Sequence, residues 1–212
     1  MPVLEDIYRS HHAARRGQDF VLLGDERGNF LSKAVGTGRK VLDIGCRDGA
    51  LTGYFVKGNR VTGVDIDSVA LARAKESLGI ETHQIDLNGD WAIPSGSYDA
   101  IVAAEVVEHL YYPQEVFRKV ADVLAPGGVF AGTVPNAFSF AHRMRYLLKQ
   151  KRNTPLMDPT HINHFTVNEL RTLLEEHFTD VRVVGLGRLG AFAAKFPQTF
   201  AYDLAFSGTK AP

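Results

Sequence analysis

The sequence of 212 residues contains very little cysteine and no long apolar run. Its single cysteine, Cys46, has no partner for an internal disulfide, and one thiol excludes a structural zinc site built on several thiolates. No stretch approaches the roughly 18 apolar residues that a membrane-spanning helix needs. Residues 1–20 lack the apolar segment of a secretory signal. We therefore expect a soluble, cytoplasmic protein.

The sequence also lacks an excess of charge of either sign. Lys and Arg total 24, and Asp and Glu total 24, so the formal net charge is zero. Proteins that bind nucleic-acid phosphates over a large surface have a strongly positive net charge, so the composition argues against that class. Hydrophobic residues make up 45% and charged residues 23%, values typical of globular proteins. Because this length is ordinary for one unit, we expect a single domain over residues 1–212.

Short apolar runs alternate along the chain with segments of helical period. The predicted strands lie at residues 40–45, 60–65, 80–86, 98–104, 128–134, 180–186 and 200–207. The predicted helices lie at residues 48–57, 67–78, 112–124 and 166–178. This alternation predicts an α/β fold, an open parallel sheet with helices on both faces. Ligands bind such sheets beyond the carboxyl ends of the strands.

Two segments stand outside the alternation. Residues 1–38 are expected to form an N-terminal helical cover. Residues 137–165, after the fifth strand, are expected to form a lid or insertion, in which the basic part 143–152 is interleaved with aromatic and apolar residues. A substrate lid, a membrane-surface helix over 137–157, a nucleic-acid patch and a solvated helix are all compatible with this pattern.

Acidic residues close three successive predicted strands. These residues are Asp43, Asp65 and Asp86. A carboxylate at the end of the second strand can accept hydrogen bonds from both hydroxyls of a ribose, and one at the end of the third can accept from an adenine amine. In the loop after the first strand, Gly45 allows a sharp turn and Gly49 allows close packing of the next segment. The ligand indicated is an adenosine without phosphates.

The same loop departs from the dinucleotide-binding fingerprint. That fingerprint needs glycine at three places, which here hold Gly45, Arg47 and Ala50. The departure disfavours a nicotinamide-dependent dehydrogenase, which stays as an alternative. No phosphate-binding loop of the Walker type is present in the sequence.

Five segments then point to one family. VLDIGCRDG, VTGVDID, QIDL, YDAIVAAEVVEHL and LAPGGVFAGTVPN, in this order over about residues 39–180, resemble the motifs of class I S-adenosylmethionine-dependent methyltransferases. The resemblance implies a seven-stranded, Rossmann-like, mostly parallel sheet with an antiparallel last strand, and S-adenosylmethionine as cofactor. Arg47 stands where the family usually has glycine, so its side chain must point away from the cofactor or reach its carboxylate.

The resemblance also assigns residues to parts of the cofactor. It implies that the two glycines lie near the methionine part, that Asp65 holds the ribose, and that Ala104 lies by the sulfonium. The residues predicted to bind the cofactor are Arg27, Asp43, Gly45, Gly49, Asp65, Ile66, Asp86, Leu87 and Ala104.

Within the class, the sequence is most similar to the ubiquinone-biosynthesis O-methyltransferases. In that group an arginine upstream of the first strand binds the cofactor's carboxylate, and Arg27 is the corresponding residue here; the alternative is an exposed charge on a helix. The group also carries an insertion after the fifth strand that touches lipid. Residues 137–157 correspond to it, so the resemblance implies peripheral membrane contact.

A candidate metal site follows the fourth strand. If a helical turn begins at EVVEHL, the spacing of Glu105, Glu108 and His109 places all three on one face. The segment DPTHINHF adds His161 and His164, of which His161 better fits the pattern of ubiquinone-type enzymes and of the RNA 2′-O-methyltransferases that modify small RNAs. This set predicts a divalent ion such as Mg²⁺, Mn²⁺, Fe²⁺ or Zn²⁺.

The same residues allow a metal-free interpretation. Glu105 would then orient the cofactor, Glu108 would cap the next turn, and His109 would pack under the pocket. The general base would be His109 or His161, because imidazole titrates near neutral pH.

The function expected from these features is methyl transfer from S-adenosylmethionine to a hydroxyl group of a small molecule. One alternative is an RNA 2′-O-methyltransferase that uses the basic segment 143–152, although the zero net charge counts against nucleic acid. Another is a cofactor-binding partner subunit without activity of its own, suggested by Arg47.

Overall fold

A computed structural model describes residues 4–15 and 21–212 of the chain, and its centre is a seven-stranded sheet. The strands are β1 (Lys40–Ile44), β2 (Arg60–Asp65), β3 (Glu81–Gln84), β4 (Tyr98–Ala104), β5 (Leu124–Pro135), β6 (Thr179–Leu186) and β7 (Asp203–Thr209). The α-helices are α1 (Leu4–Arg15), α2 (Gly24–Val35), α3 (Ser68–Leu78), α4 (Pro113–Val123), α5 (Phe140–Leu147), α6 (Val167–Glu175), α7 (Ala191–Lys195) and α8 (Pro197–Phe200). Residues 1–3 and 16–20 of the expected N-terminal cover lie outside the described residues.

The strand order is β3-β2-β1-β4-β5-β7-β6. The first five strands pair in parallel, and β7 runs antiparallel to both β5 and β6. This confirms the predicted mostly parallel sheet with an antiparallel last strand. The order reverses between β1 and β4, so a crevice forms at the carboxyl ends of these two strands.

Buried side chains cover both faces of this sheet. Neighbouring residues of a strand point to opposite faces, and accordingly Val41 belongs to one buried cluster and Leu42 to the other. The first cluster includes Leu31 of α2, and the second includes Phe117 of α4 and Leu170 of α6. Because each face is covered by helices, both faces of the central strands are apolar, as parallel sheets require.

Two of the helices that begin near the carboxyl edge of the sheet have side-chain caps. At the start of α3, the Asp67 carboxylate accepts hydrogen bonds from the amides of Val69 and Ala70. At the start of α6, Thr166 and Glu169 form the predicted capping box, since each side chain bonds the other's backbone amide. These caps fix where the two helices begin.

The predicted helix at residues 48–57 is wrong. This segment consists of turns and a single 3₁₀ turn at Thr52–Tyr54. Gly49 has φ +85°, and a Cβ there would lie 2.6 Å from Cδ1 of Leu78 on α3. The left-handed backbone interrupts a helix, while the missing side chain lets the loop pack against α3.

The fifth strand begins earlier than residue 128. The predicted turn at Pro126-Gly127-Gly128 lies inside β5, which starts at Leu124. Its pairing with β4 is irregular there, with a register shift between Tyr98 and Ala100. A β-bulge therefore accommodates the proline and glycines that the sequence pattern assigned to a turn.

The insertion after β5 contains the short helix α5 and a 3₁₀ turn at Pro155–Met157. Leu147 and Leu148 are 74% and 67% exposed, and Phe140 is 57% exposed. α5 packs against α8, which also carries an exposed aromatic residue, Phe200. In residues 4–15 and 21–212, no helix has the length and apolar character needed to cross a bilayer.

Gly132 provides a test of the packing at the centre of the sheet. A Cβ there would overlap the carbonyl oxygen of Ala103 and lie 2.5 Å from the ring of Phe206. We expect Gly132→Ala to lower the free energy of unfolding by about 3 kcal/mol in urea titrations, because neither the β4 backbone nor the ring can yield. The matched control is Gly53→Ala, whose Cβ would meet Leu78 at 3.9 Å. If Gly132→Ala and Gly53→Ala had the same free energy of unfolding, the close packing around Gly132 would be contradicted.

Candidate functional site

A cavity of about 550 Å³ lies at the carboxyl ends of the central strands. Most of the residues predicted from the sequence line it. They are Arg27, Asp43, Gly45, Asp65, Ile66, Asp86, Leu87, Ala104, Glu105, His109 and His161. Gly49 and Glu108 are not part of the lining: Gly49 packs against α3, and the Glu108 carboxylate lies buried behind His109 and His161.

The loop after β1 is shaped by its hydrogen bonds and by left-handed backbone. The amides of Gly45 and Cys46 donate to the carbonyl of Val64 on β2, at 2.7 and 3.1 Å. Gly45 has φ +70°, and a Cβ there would overlap the side chain of Val106. The absence of a side chain therefore lets the β1 loop approach the loop after β4 across the crevice.

Asp65 ends β2 with its carboxylate fixed in place. Its Oδ2 accepts a hydrogen bond from the amide of Arg47, and its Oδ1 accepts one from the amide of Asp67, both at 2.9 Å. Arg47 adopts φ +51°, the conformation that glycine favours. Its guanidinium is paired with Asp48 at 2.7 Å. The arginine in place of the family's glycine thus keeps the loop's conformation and orients Asp65.

Asp43 and Cys46 lie deeper beside the same loop. The hydroxyl of Thr52 donates to Oδ2 of Asp43 at 2.6 Å. Burial raises the pKa of Asp43 to about 7, although the hydrogen bond from Thr52 opposes the shift. Burial also raises the pKa of the Cys46 thiol, so this cysteine stays protonated and is a poor nucleophile.

The segment after β3 forms a turn at the edge of the cavity. Oδ1 of Asp86 accepts from the amide of Asn88 at 2.9 Å, and the carbonyl of Asp86 accepts from the amide of Gly89 at 3.0 Å. The carbonyl of Leu87 accepts from the indole of Trp91 at 3.0 Å. These bonds hold Asp86 and Leu87 at the position from which they line the cavity.

Arg27 is buried beside two carboxylates. Its Nε and Nη2 donate to Oδ2 of Asp203 at 2.9 and 2.5 Å, and Nη2 lies 2.9 Å from Oε2 of Glu105. The guanidinium is 5% exposed, so the alternative of an exposed helix charge is wrong. Burial lowers the pKa of Arg27, but the charges of Glu105 and Asp203 outweigh it and hold the pKa above its ordinary value.

Glu105 does not share a face with Glu108 and His109. Its backbone is left-handed, with φ +57°, and the 3₁₀ turn begins only at Val107. The predicted continuous turn from Glu105 is therefore wrong. The carboxylate bonds Arg27 and the hydroxyl of Thr133, which donates to Oε1 at 3.3 Å.

The remaining predicted metal ligands come together. Glu108, His109 and His161 each offer a ligand atom, and these atoms lie within 4.8 Å of one another. Oε1 of Glu108 is 3.9 Å from Nε2 of each histidine, and the two rings are 4.8 Å apart between centroids. Asp158 borders the cluster, with Oδ2 at 3.8 Å from Nε2 of His161. His164, the other candidate, is not part of this cluster.

Backbone hydrogen bonds bring His161 to the turn after β4. The amides of Ile162 and Asn163 both donate to the carbonyl of Glu108 at 2.9 Å. The side-chain amide of Asn163 donates to the carbonyl of Leu110 at 2.5 Å. The two loops, about fifty residues apart in the chain, therefore form one unit.

Both histidines are oriented by backbone carbonyls. Nδ1 of His109 lies 2.9 Å from the carbonyl oxygen of Thr160, and Nδ1 of His161 lies 3.2 Å from that of Pro155. A carbonyl only accepts, so Nδ1 is the donor in both contacts, and in a neutral ring Nε2, on the side of Glu108, is the nitrogen that can bind a metal ion. Metal-binding histidines are oriented by such outer contacts, so the donor set fits a divalent ion.

The sequence patterns did not identify three further residues at the cavity: Tyr8, Asp158 and Asp203. The Tyr8 hydroxyl of α1 donates to the carbonyl of His109 at 3.4 Å, and burial raises the pKa of Tyr8 to about 12. Asp158 and Asp203 also line the cavity. The signal for Asp203 was present: an antiparallel last strand starts at the edge where parallel strands end, so an acid at its beginning belongs to the site.

The chain has relatives among known proteins. Residues 12–178 match the family described as the methyltransferase domain. A ubiquinone biosynthesis O-methyltransferase of Nitrosococcus oceani is 36% identical over 114 residues, which are 49% of this chain and 48% of that protein. A probable S-adenosylmethionine-dependent methyltransferase of Mycobacterium tuberculosis is 30% identical over 153 residues, 71% of this chain and 52% of that protein. The chain spans about half the length of the curated relatives it matches.

Solved structures share the fold. An S-adenosylmethionine-dependent methyltransferase from Archaeoglobus fulgidus superposes with a TM-score of 0.69 at 19% identity, over 96% of this chain and 99% of that one. A possible histamine N-methyltransferase from Thermotoga maritima gives a TM-score of 0.69 at 14% identity, over 97% of each chain. The family match confirms that the chain is a methyltransferase: it belongs to the family described as the methyltransferase domain, and the two solved methyltransferases share its fold.

Proposed function

We propose that this protein transfers a methyl group from S-adenosylmethionine to a hydroxyl oxygen of a small molecule. The observation that carries the proposal is the common cavity: Asp65, held by two backbone amides, lines it together with His109 and His161. The O-methyltransferase name of the Nitrosococcus oceani relative supports an oxygen acceptor. One cavity thus contains a carboxylate that can accept hydrogen bonds from the ribose hydroxyls and imidazoles that can act on the acceptor's hydroxyl group.

The donors and acceptors along the cavity suit the cofactor's parts. Bound S-adenosylmethionine supplies an electrophilic methyl group on a sulfonium. Asp65 accepts the ribose hydroxyls, Asp86 and Leu87 contact the adenine, and Ala104 lies beside the reacting end. Because the methyl group moves by in-line displacement, the main task of the chain is to hold the two reactants in contact and exclude water.

Glu108, His109 and His161 hold a divalent ion in this proposal. Two imidazole nitrogens and one carboxylate suit Mn²⁺, Fe²⁺ or Zn²⁺ better than Mg²⁺, which prefers an all-oxygen shell. The ion supplies positive charge that favours loss of the acceptor's hydroxyl proton. If no ion is held, His109 or His161 accepts that proton through Nε2.

The first experiment is turnover by the isolated chain. We expect S-adenosylhomocysteine to form with a hydroxylated aromatic, sugar or polyketide acceptor in the presence of Mn²⁺. Asp65→Asn should lower turnover and weaken cofactor binding at least roughly tenfold, because it removes the charged acceptor for the ribose. Asp90→Asn, at an exposed site outside the cavity, is the control. Absence of product with every acceptor would contradict the proposal and favour the non-catalytic partner subunit; product with single-stranded RNA alone would favour the RNA alternative.

The metal proposal is tested by titrating the protein with Mn²⁺ in a calorimeter. We expect about one ion per chain, and roughly tenfold or greater loss of affinity in His161→Ala, because a ligand is removed. His83→Ala, at an exposed histidine on β3, should bind as the parent does. Turnover should fall on chelation and return with Mn²⁺. Unchanged turnover after chelation, with unchanged Mn²⁺ binding by His161→Ala, would disprove the ion.

We further propose that residues 137–157 contact an anionic lipid surface. Basic side chains are interleaved in this segment with exposed Phe140, Leu147 and Leu148, a combination typical of interfacial helices. We expect the protein to sediment with vesicles containing phosphatidylglycerol, and a Leu147→Ser and Leu148→Ser double variant to sediment less. Val69→Ser, at a half-exposed apolar residue of α3, is the control. Equal sedimentation of all three proteins would contradict this contact.

A further inference from the structure

Two connecting segments at one side of the sheet contain most of the exposed large apolar residues. The first, residues 136–157, follows β5, and the second, residues 187–202, connects β6 to β7 and contains α7 and α8. Among the residues that the structure describes, ten of the seventeen exposed large apolar side chains lie in these two segments. Clustering of this kind marks an interaction surface, whereas single exposed apolar residues are ordinary.

The same two segments carry charge of one sign. They contain seven of the 24 Lys and Arg residues and none of the 24 Asp and Glu residues, which leaves 17 basic and 24 acidic residues in the rest of the chain. The net charge of zero is therefore the sum of +7 in the two segments and −7 elsewhere. A partner that carries negative charge is favoured at such a surface.

Asn136 joins the two segments. Its side-chain amide is buried and donates hydrogen bonds to the carbonyls of Pro197 and Ala201, each at 3.0 Å. Its backbone amide donates to the carbonyl of Tyr202 at 3.0 Å, and its own carbonyl oxygen lies 2.8 Å from Nδ1 of the buried His142 on α5. Because α5 also packs against α8, the two segments form one continuous surface.

The second segment exposes three phenylalanine rings. Phe192, Phe196 and Phe200 are 63%, 48% and 39% exposed. The rings of Phe192 and Phe196 both lie edge-on to that of Phe200, with centroids 6.2 and 6.3 Å away. Two exposed cations, Arg188 and Lys195, lie close to them in the sequence. Exposed aromatic rings beside basic side chains are typical of segments that lie in the headgroup region of a bilayer.

The apolar residues of this surface favour lipid over single-stranded nucleic acid. Both partners carry negative charge, and nucleic-acid bases also stack on aromatic rings. Half of the ten exposed apolar residues, however, are Leu or Met; Leu147, Leu148 and Leu189 are 74%, 67% and 56% exposed. Aliphatic side chains offer no face for base stacking, whereas they gain free energy when they enter the apolar part of a bilayer.

We propose that residues 187–202 bind an anionic lipid surface together with residues 136–157. The inference rests on the proposed function, because it extends the lipid contact proposed there for residues 137–157. It adds the phenylalanine rings of α7 and α8 and the charges of Arg188 and Lys195 to that contact. Tyr202 belongs to the same surface and also lines the cavity, so bound lipid lies beside the cavity.

The test measures sedimentation with phosphatidylcholine vesicles that contain phosphatidylglycerol. We expect Phe192→Ser with Phe196→Ser to lower the partition coefficient about tenfold, because less apolar surface enters the bilayer. Arg188→Gln with Lys195→Gln should lower it about tenfold or more at low salt and less at high salt, since each cation near an anionic surface adds to the attraction. Vesicles of phosphatidylcholine alone should bind the parent more weakly.

Two double variants elsewhere on the protein are the matched controls. Tyr111→Ser with Tyr112→Ser removes aromatic rings from residues that are 60% and 71% exposed. Arg60→Gln with Arg118→Gln removes two exposed cations. Both controls should sediment with the vesicles as the parent does. Thermal melting establishes that every variant is folded.

The outcomes separate this inference from the earlier proposals. If Leu147→Ser with Leu148→Ser lowers vesicle binding while both double variants in residues 187–202 bind as the parent does, lipid contact is limited to the first segment and the inference is wrong. If the parent does not bind vesicles, both lipid proposals are wrong, and turnover in solution still decides the methyl transfer.

Two other partners would also overturn the inference. Binding of single-stranded RNA by a parent that does not bind vesicles, weakened in Arg188→Gln with Lys195→Gln, would identify a nucleic-acid surface. A parent dimer that Phe192→Ser with Phe196→Ser dissociates, again without vesicle binding, would identify an interface between two copies of this chain.

Discussion

The architecture of the site depends on one topological constraint, the adjacency of β1 and β4. Strands β2 and β3 extend the sheet from β1 in one direction, and β5 and β7 extend it from β4 in the other. The loops after β1 and β4 therefore separate at the carboxyl edge and leave the crevice that becomes the cavity. Gly45 permits the two loops to approach closely, since a side chain there would overlap Val106. The acids that end β1 and β2 then face one space.

The backbone changes direction after β4, between Glu105 and the 3₁₀ turn that begins at Val107. After β4, the left-handed residue Glu105 directs its carboxylate to Arg27, while the 3₁₀ turn that follows presents Glu108 and His109 to His161. Glu105 thus lines the cavity, whereas Glu108, three positions further on, lies behind its wall beside His109 and His161. The loop carrying His161 is bonded to the carbonyl of Glu108, so the clustering of Glu108, His109 and His161 depends on that turn.

Much of the fold was predictable because its signals are local. An apolar run that ends in an acidic residue identifies β2, which ends at Asp65, and β4, which begins at residue 98. The capping box at Thr166 identifies the start of α6. The predicted helix at 48–57 failed because φ at Gly49 is positive, a backbone property that residue composition does not reveal. Residues of the site that lie within family motifs, such as Asp65, were predictable from the sequence. The pairing of Glu105 with Arg27 was not, because it joins residues 78 positions apart through packing alone.

The central claim is that the crevice binds an adenosyl ligand without phosphates. The most direct measurement is a pair of calorimetric titrations, one with S-adenosylhomocysteine and one with NAD, under the same conditions. Our account predicts saturable binding of S-adenosylhomocysteine, at about one molecule per chain, and no measurable binding of NAD. Heat of binding from NAD, with none from S-adenosylhomocysteine, would contradict it.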